Sequence, residues 1–187
     1  MPINFDLETL RKKYNCNNYF ETGLWDSNKD ISIKKALLCD FDKISSIEIR
    51  EDFIILGREI FKKDIENGKC NLYHDDSVNI NKYLKYDENK TIFFLDAHVD
   101  NNNIHNYIKK CPLFEELKAI GNLKKKDHII LIDDLRYLKN PYPWGETSYG
   151  NINFLDEIKK NILSINEKYS FSTLNGVIEN DVLIAYV

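Results

Sequence analysis

Apolar residues along this chain gather into short continuous runs, separated by stretches in which they recur at helical spacing. Ile129-Ile130-Leu131-Ile132 and the segment Thr91 to Asp96 are the clearest runs, and both are of strand length. Tyr19-Phe20, Ile44 to Ile49, Asn71 to His74, Tyr169 to Thr173 and Val182 to Val187 read as further strands. Between them, Ile31 to Phe41, Glu51 to Glu66, Val78 to Tyr86, Pro112 to Ile120 and Phe154 to Ile165 read as helices. In Glu51 to Glu66 the residues Phe53, Ile54, Leu56, Ile60 and Phe61 share one side, and Pro112 and Gly121 suit the start and stop of the helix they bracket. Continuous apolar strands need cover on both faces, so the pattern predicts an α/β three-layer sandwich with a mainly parallel sheet. Two consecutive strands at the C-terminus predict a closing antiparallel hairpin. No repeat, low-complexity tract or Pro/Gly/Ser linker divides the chain, so residues 1–187 are expected to form a single domain.

Composition narrows this picture. A hydrophobic fraction of 43% with 12% aromatics rules out disorder as a class. With 26 Lys+Arg against 30 Asp+Glu the net charge is −4, which argues against a nucleic-acid partner. The first residues show no basic region followed by an apolar one, and the apolar runs are too short to span a bilayer, so no membrane association and a cytoplasmic location are expected. Cys16, Cys39, Cys70 and Cys111 are scattered without a CxxC pair, which points to reduced thiols rather than a zinc or redox site.

In open parallel sheets, ligands bind beyond the carboxyl ends of the strands. Here those ends carry carboxylates: Glu21 before Thr22-Gly23, Glu48 beside Arg50, Asp75-Asp76-Ser77, Asp96-Ala97-His98, and Asp133-Asp134. A solvated acidic rim explains any one of them; five in succession suggest a site. A carboxylate such as Glu48 at a buried strand end can accept two hydroxyls at once, and glycine at position 23 lets the backbone approach a ligand closely.

This arrangement resembles the class I S-adenosylmethionine-dependent methyltransferases over nearly the whole chain. Phe20-Glu21-Thr22-Gly23 resembles the family's first motif and Ser46-Ile47-Glu48-Ile49 its second, in which the acidic residue holds the cofactor ribose. The stretches Leu95-Asp96-Ala97-His98 and Ile132-Asp133-Asp134 resemble a subgroup of small methyltransferase-like proteins. The resemblance implies a seven-stranded, mainly parallel Rossmann-like sheet and S-adenosylmethionine as cofactor, with Glu21, Thr22, Gly23, Glu48, Asp75, Asp76, Ser77 and Asp96 lining its site. Asp75, Asp76 and Ser77 fall where the family usually contacts adenine. One departure concerns the turn after the first strand: where the family carries a further glycine, this chain has Leu24-Trp25-Asp26-Ser27-Asn28.

Asp96, Asp133 and Asp134 are expected to converge, and three close carboxylates call for a cation. All-oxygen ligands suit Mg²⁺, and the set is similar to that of metal-dependent sugar O-methyltransferases, where the metal activates a substrate hydroxyl. The bland alternative is that Asp133 or Asp134 caps a turn. His98 is the candidate general base, assisted by Asp96; His128 reads as structural, and His74 and His105 carry weaker cases. A small-molecule or carbohydrate-like substrate would meet Val99 to Lys110 and Leu135 to Gly150, where Tyr137, Tyr142, Trp144 and Tyr149 can stack and Arg136 can face an anionic group, or a second subunit of a homo-oligomer. The competing expectation is a binding or scaffold protein that kept the fold and lost the chemistry. A third is a nucleotide- or sugar-modifying enzyme of another type, with no need for Glu48.

Overall fold

A computed structural model describes residues 3–84, 89–97, 111–138 and 153–187. Seven strands form one sheet: β1 (Asn18–Thr22), β2 (Lys43–Glu48), β3 (Cys70–His74), β4 (Thr91–Leu95), β5 (Ile129–Ile132), β6 (Ser170–Leu174) and β7 (Val182–Tyr186), in the order β3-β2-β1-β4-β5-β7-β6. The first five run parallel, and β7 is antiparallel to both β5 and β6. The expected three-layer α/β sandwich with a C-terminal antiparallel hairpin is what forms.

Strand alternation divides the core into two layers. Tyr19, Ile44, Ile92, Phe94, Leu131 and Ile184 face the helices α1 (Leu7–Tyr14), α2 (Ser32–Leu37) and α3 (Glu51–Ile60). Phe20, Ile47, Phe93, Leu95, Ile130 and Leu183 face α5 (Leu113–Gly121) and α7 (Phe154–Ile165). Both layers are apolar because β1, β4 and β5 are buried along their whole lengths, as parallel strands covered on both sides must be.

Three differences from the sequence reading have local causes. Helix α1 was not anticipated; Asp6 starts it by accepting the Thr9 N–H at 3.0 Å, and Asn15 ends it in a left-handed conformation. The long helix Glu51 to Glu66 is divided at buried Phe61, after which α4 (Lys62–Glu66) follows. The helix expected from Val78 is a 3-10 turn over Ser77–Lys82, capped by Asp76, with two Asn among its six residues. Asn competes with the backbone for hydrogen bonds and suits turns better than helix interiors. A short helix, α6 (Leu135–Leu138), follows β5 directly. No helix among the described residues is long and apolar enough to cross a membrane. The four cysteines are buried and joined by no disulfide.

Candidate functional site

Strand β1 lies between β2 and β4, so the chain reverses its direction of travel across the sheet on either side of β1, and a crevice opens beyond the strand ends. Thr22 is level with Ile47 on one side and Leu95 on the other, which brings Gly23, Glu48 and Asp96 to the same height. Gly23 has φ +86°, and a Cβ built there would lie 2.6 Å from the Asp96 carbonyl oxygen. Only glycine fits a left-handed backbone pressed this closely against another strand. The Asp96 N–H closes the contact by donating to the Thr22 carbonyl at 3.1 Å and to its Oγ1 at 3.2 Å.

Glu48 is buried at the end of β2 and accepts two backbone N–H groups, from Trp25 at 3.0 Å and from Arg50 at 2.9 Å. Each carboxylate oxygen keeps a further acceptor direction. Trp25 itself has φ +60°, the conformation that a glycine would take without strain. A non-glycine residue held there costs about 1–2 kcal/mol. The missing glycine of the turn is thus replaced by a strained tryptophan, its backbone fastened to Glu48.

Glu21 points to the opposite face from Thr22 and is fully buried. Its carboxylate accepts from Tyr19 Oη at 2.9 Å, Ser32 Oγ at 2.5 Å and Ser46 Oγ at 2.9 Å, and burial raises its pKa. Beyond β3, Asp75 accepts from the Asp76 N–H, Asn79, Lys82 and Tyr83. Burial raises its pKa, but those donors outweigh it and the net direction is downward. Asp76 caps the 3-10 turn through the Val78 N–H at 3.0 Å, and Ser77 is buried beside it.

The acids beyond β4 and β5 meet a partner that strand spacing did not reveal. Carboxylate oxygens of Asp133, Asp134 and Asp181 lie within 4.8 Å of one another, all three residues buried. Asp181 immediately precedes β7, so the hairpin brings it back over the end of β5. Asp96 stands next to this trio rather than inside it: its pKa rises well above the usual range, first from burial and then from the charges of Asp133 and Asp134. Asp133 accepts the Asp134 N–H through Oδ1 at 2.8 Å, while its buried Oδ2 has no hydrogen-bond partner among the described residues. Burial and the neighbouring Asp134 push Asp133 up to about 6. Asp134 has φ +62°, so the turn after β5 is strained as well, a feature that gathers at functional sites. Arg136 pairs with Asp134 at 2.6 Å and with Asp181, whose Oδ1 also accepts the Arg136 N–H at 3.0 Å. Arg136, expected to face an anionic substrate group, is instead held by two carboxylates of its own chain.

No family model matches the chain, and comparison with curated proteins finds no match. Solved structures do match. An O-methyltransferase from Bacillus cereus in complex with SAH is similar at TM-score 0.62 and 14% identity, over 97% of this chain and 78% of that one. The O-methyltransferase TomG of tomaymycin synthesis from Streptomyces achromogenes, in complex with SAM, gives TM-score 0.58 and 13% identity over 97% and 77%. The SAH-bound methyltransferase PaMTH1 from Podospora anserina gives 0.56 and 16% over 95% and 74%. The chain has the Rossmann-like methyltransferase fold.

Within this methyltransferase fold the structure brings Thr22, Gly23, Glu48 and Asp96 together at the switch point, and Asp133 and Asp134 beside Asp96. Glu21 is turned into the opposite layer. His98 and His105 lie outside the described residues, as do Tyr142, Trp144 and Tyr149. His74 Nε2 donates to the Ile49 carbonyl at 3.1 Å. His128 is buried and structural: its Nδ1 accepts the Thr91 N–H at 3.2 Å. A groove lined by Asn18, Lys43, Asn71, Tyr73, Tyr83 and Thr91 opens toward the amino ends of the strands, away from these carboxylates. Two buried acids near these strand ends are not legible as such in the strand-end pattern. Asp181 was hidden because it joins the others only through the hairpin. Glu116 carries a visible signal: it falls on the apolar stripe Leu113, Leu117 and Ile120 of α5, is fully buried, and has both carboxyl oxygens without a hydrogen-bond partner among the described residues. Burial pushes Glu116 up to about 8, while the nearby Ser77 and Thr22 hydroxyls pull the other way without reaching hydrogen-bond geometry.

Proposed function

We propose that this protein is an S-adenosylmethionine-dependent methyltransferase acting on a hydroxyl of a small or carbohydrate-like molecule with Mg²⁺ assistance. The observation that carries the reading is the close passage of Gly23 over the Asp96 backbone, with the Glu48 carboxylate level with it. Only glycine lets the end of β1 lie this close to the end of β4, and the tight turn so formed sits at the switch point, where open parallel sheets bind their ligands. SAM and SAH in the neighbours TomG and the Bacillus cereus enzyme support the choice of cofactor.

In this reading Glu48 accepts the ribose hydroxyls, Thr22, Gly23 and Asp96 border the cofactor, and Asp75, Asp76 and Ser77 border its adenine end, while Glu21, turned into the opposite layer, braces β1 from behind through Tyr19, Ser32 and Ser46. The cofactor supplies an electrophilic methyl group on a sulfonium. Asp96, Asp133 and Asp134 are the residues to hold Mg²⁺, which bound there would lower the pKa of a substrate hydroxyl. The donor chemistry fits a hard cation: all ligands are oxygen, and Asp133 Oδ2 is buried without a partner. Asp181 adds a further oxygen, whereas Arg136 competes for Asp134. His98, two residues beyond Asp96, takes the hydroxyl proton as the general base. Most of the remaining contribution is positioning of the nucleophile for in-line displacement.

A binding protein without the chemistry is the second reading, favoured by the Arg136 pairing, which already neutralises part of the acidic trio. Calorimetry with S-adenosylmethionine and S-adenosylhomocysteine, with and without Mg²⁺, tests both. Binding of either ligand, weakened at least tenfold by Glu48→Ala, supports the methyltransferase reading; no binding of either sinks it. Asp133→Ala is expected to bind cofactor normally and to lose Mg²⁺-dependent turnover of hydroxyl substrates. Turnover by that variant without Mg²⁺ would overturn the role of the metal.

A further inference from the structure

Helix α5 lies on the sheet face that carries Phe20 and Thr22, with Leu113, Leu117 and Ile120 buried against the sheet. Glu116 occupies the same stripe, where a leucine would complete the packing. Its two polar neighbours come from the ends of two different strands: Thr22 closes β1 and Ser77 follows β3. Since β2 lies between those strands, Glu116 sits under the half of the crevice bounded by the ends of β1, β2 and β3. The acidic trio lies beyond β5, on the other half. Asp75, the nearby acid beyond β3, is already committed to four donors of its own loop. Among the described residues Glu116 is thus an acid at this end whose two oxygens make no hydrogen bond, although the Ser77 and Thr22 hydroxyls stand near it, and such an arrangement is costly unless a ligand completes it.

The chemistry of the missing partner follows from its protonation. A group pushed up to about 8 by burial is a neutral carboxylic acid at pH 7, with one O–H donor and one acceptor oxygen. The charged groups acting on it are Asp76 from the cap of the 3-10 turn and Glu115 from its own helix. Both are acidic and favour the neutral form, and α7, packed on the same helix, brings the apolar Phe154 and Ile158. An aminopurine edge offers the complement, with an exocyclic N–H donor beside a ring-nitrogen acceptor. A carboxylate, which only accepts, would satisfy the amino group and repel the ring nitrogen.

We infer that Glu116 is a specificity residue that recognises the adenine of the bound cofactor, accepting from its N6 amino group and donating to the adjacent ring nitrogen. The inference rests on the methyltransferase reading and adds to it a residue from helix α5.

The test is a binding cycle by calorimetry, with S-adenosylhomocysteine and its 6-deamino (purine) analogue against the full chain and its Glu116→Met and Glu116→Gln variants. Wild type is expected to bind the deamino analogue ~10-fold or more weakly, because a buried acceptor loses its donor. Glu116→Met is expected to bind S-adenosylhomocysteine ~10- to 100-fold more weakly and to lose the discrimination. Glu116→Gln keeps a donor and an acceptor and should retain most of both. Above pH 8 the wild-type affinity should fall, approaching tenfold per pH unit, while that of Glu116→Gln stays flat. The Gln profile decides the matter if the Met variant fails to fold. Equal binding of the two ligands by wild type, unchanged discrimination in Glu116→Met, or identical pH profiles of wild type and Glu116→Gln each overturn the role of Glu116 and leave the methyltransferase reading standing. No binding of S-adenosylhomocysteine to wild type overturns both.

Discussion

Replacing Glu116 by glutamine should make the protein more stable at neutral and alkaline pH, and the size of the effect follows from burial. In the unfolded chain the carboxyl has its ordinary value of 4.5, and in the fold it is pushed up to about 8. An acid whose folded pKa is raised binds its proton more tightly in the native state, so its stabilising contribution is complete below pH 4.5 and is lost as pH rises toward 8. At 1.36 kcal/mol per pH unit, the shift from 4.5 to about 8 corresponds to a loss of about 5 kcal/mol, of which about 3 is already gone at pH 7. For a domain stable by ~5–15 kcal/mol this is a large fraction. Urea unfolding followed by tryptophan fluorescence, with wild type and Glu116→Gln at pH 5, 7 and 8.5, reads the difference directly. Asp133, Asp96, Asp134 and Glu21 are raised in the same direction; they titrate in both proteins and cancel. The stability gap should widen by several kcal/mol between pH 5 and pH 8.5. A gap constant to within about 0.5 kcal/mol over that range would falsify the placement of Glu116 in a dry environment.

Gly23→Ala combines a left-handed backbone with a Cβ 2.6 Å from the Asp96 carbonyl; a melting temperature lower by about 5–10 °C and no saturable S-adenosylhomocysteine binding are expected, and wild-type affinity would contradict the role of this turn in holding the cofactor. Arg136→Ala leaves Asp181, 1% exposed, without its guanidinium beside two other buried acids, and should lower stability by about 3–5 kcal/mol at pH 7 in urea unfolding. The loss should shrink as pH falls through the raised pKa of Asp133, about 6, because protonated acids no longer repel; a pH-independent loss would argue against charge as its cause.

The strand ends illustrate what could be read early. Gly23, Glu48 and Asp96 were singled out because each follows an apolar run, and parallel pairing then placed them level. Asp134 and Trp25 were seen as residues, but not their positive φ, which depends on how each turn is fastened: Trp25 by its N–H to Glu48, and Asp134 by its N–H to Asp133. Glu116 is a legible anomaly of another kind, an acid on the apolar stripe Leu113, Leu117 and Ile120, but only packing shows that it is buried.

By itself the sequence determined the seven strands, the covering helices and the line of carboxylates, because hydrophobic period and strand-end position are local properties of the chain. Tertiary structure alone decided which acids meet. Asp181 lies 47 residues after Asp134 in the chain, and only the antiparallel return of β7 beside β5 sets it against Asp133 and Arg136. Whether an acid is a ligand, a cap or a buried neutral group depends on the solvent and donors that packing leaves around it. Glu21 under three hydroxyls, Asp75 under four donors and Glu116 with none began as similar letters and end as different chemistry.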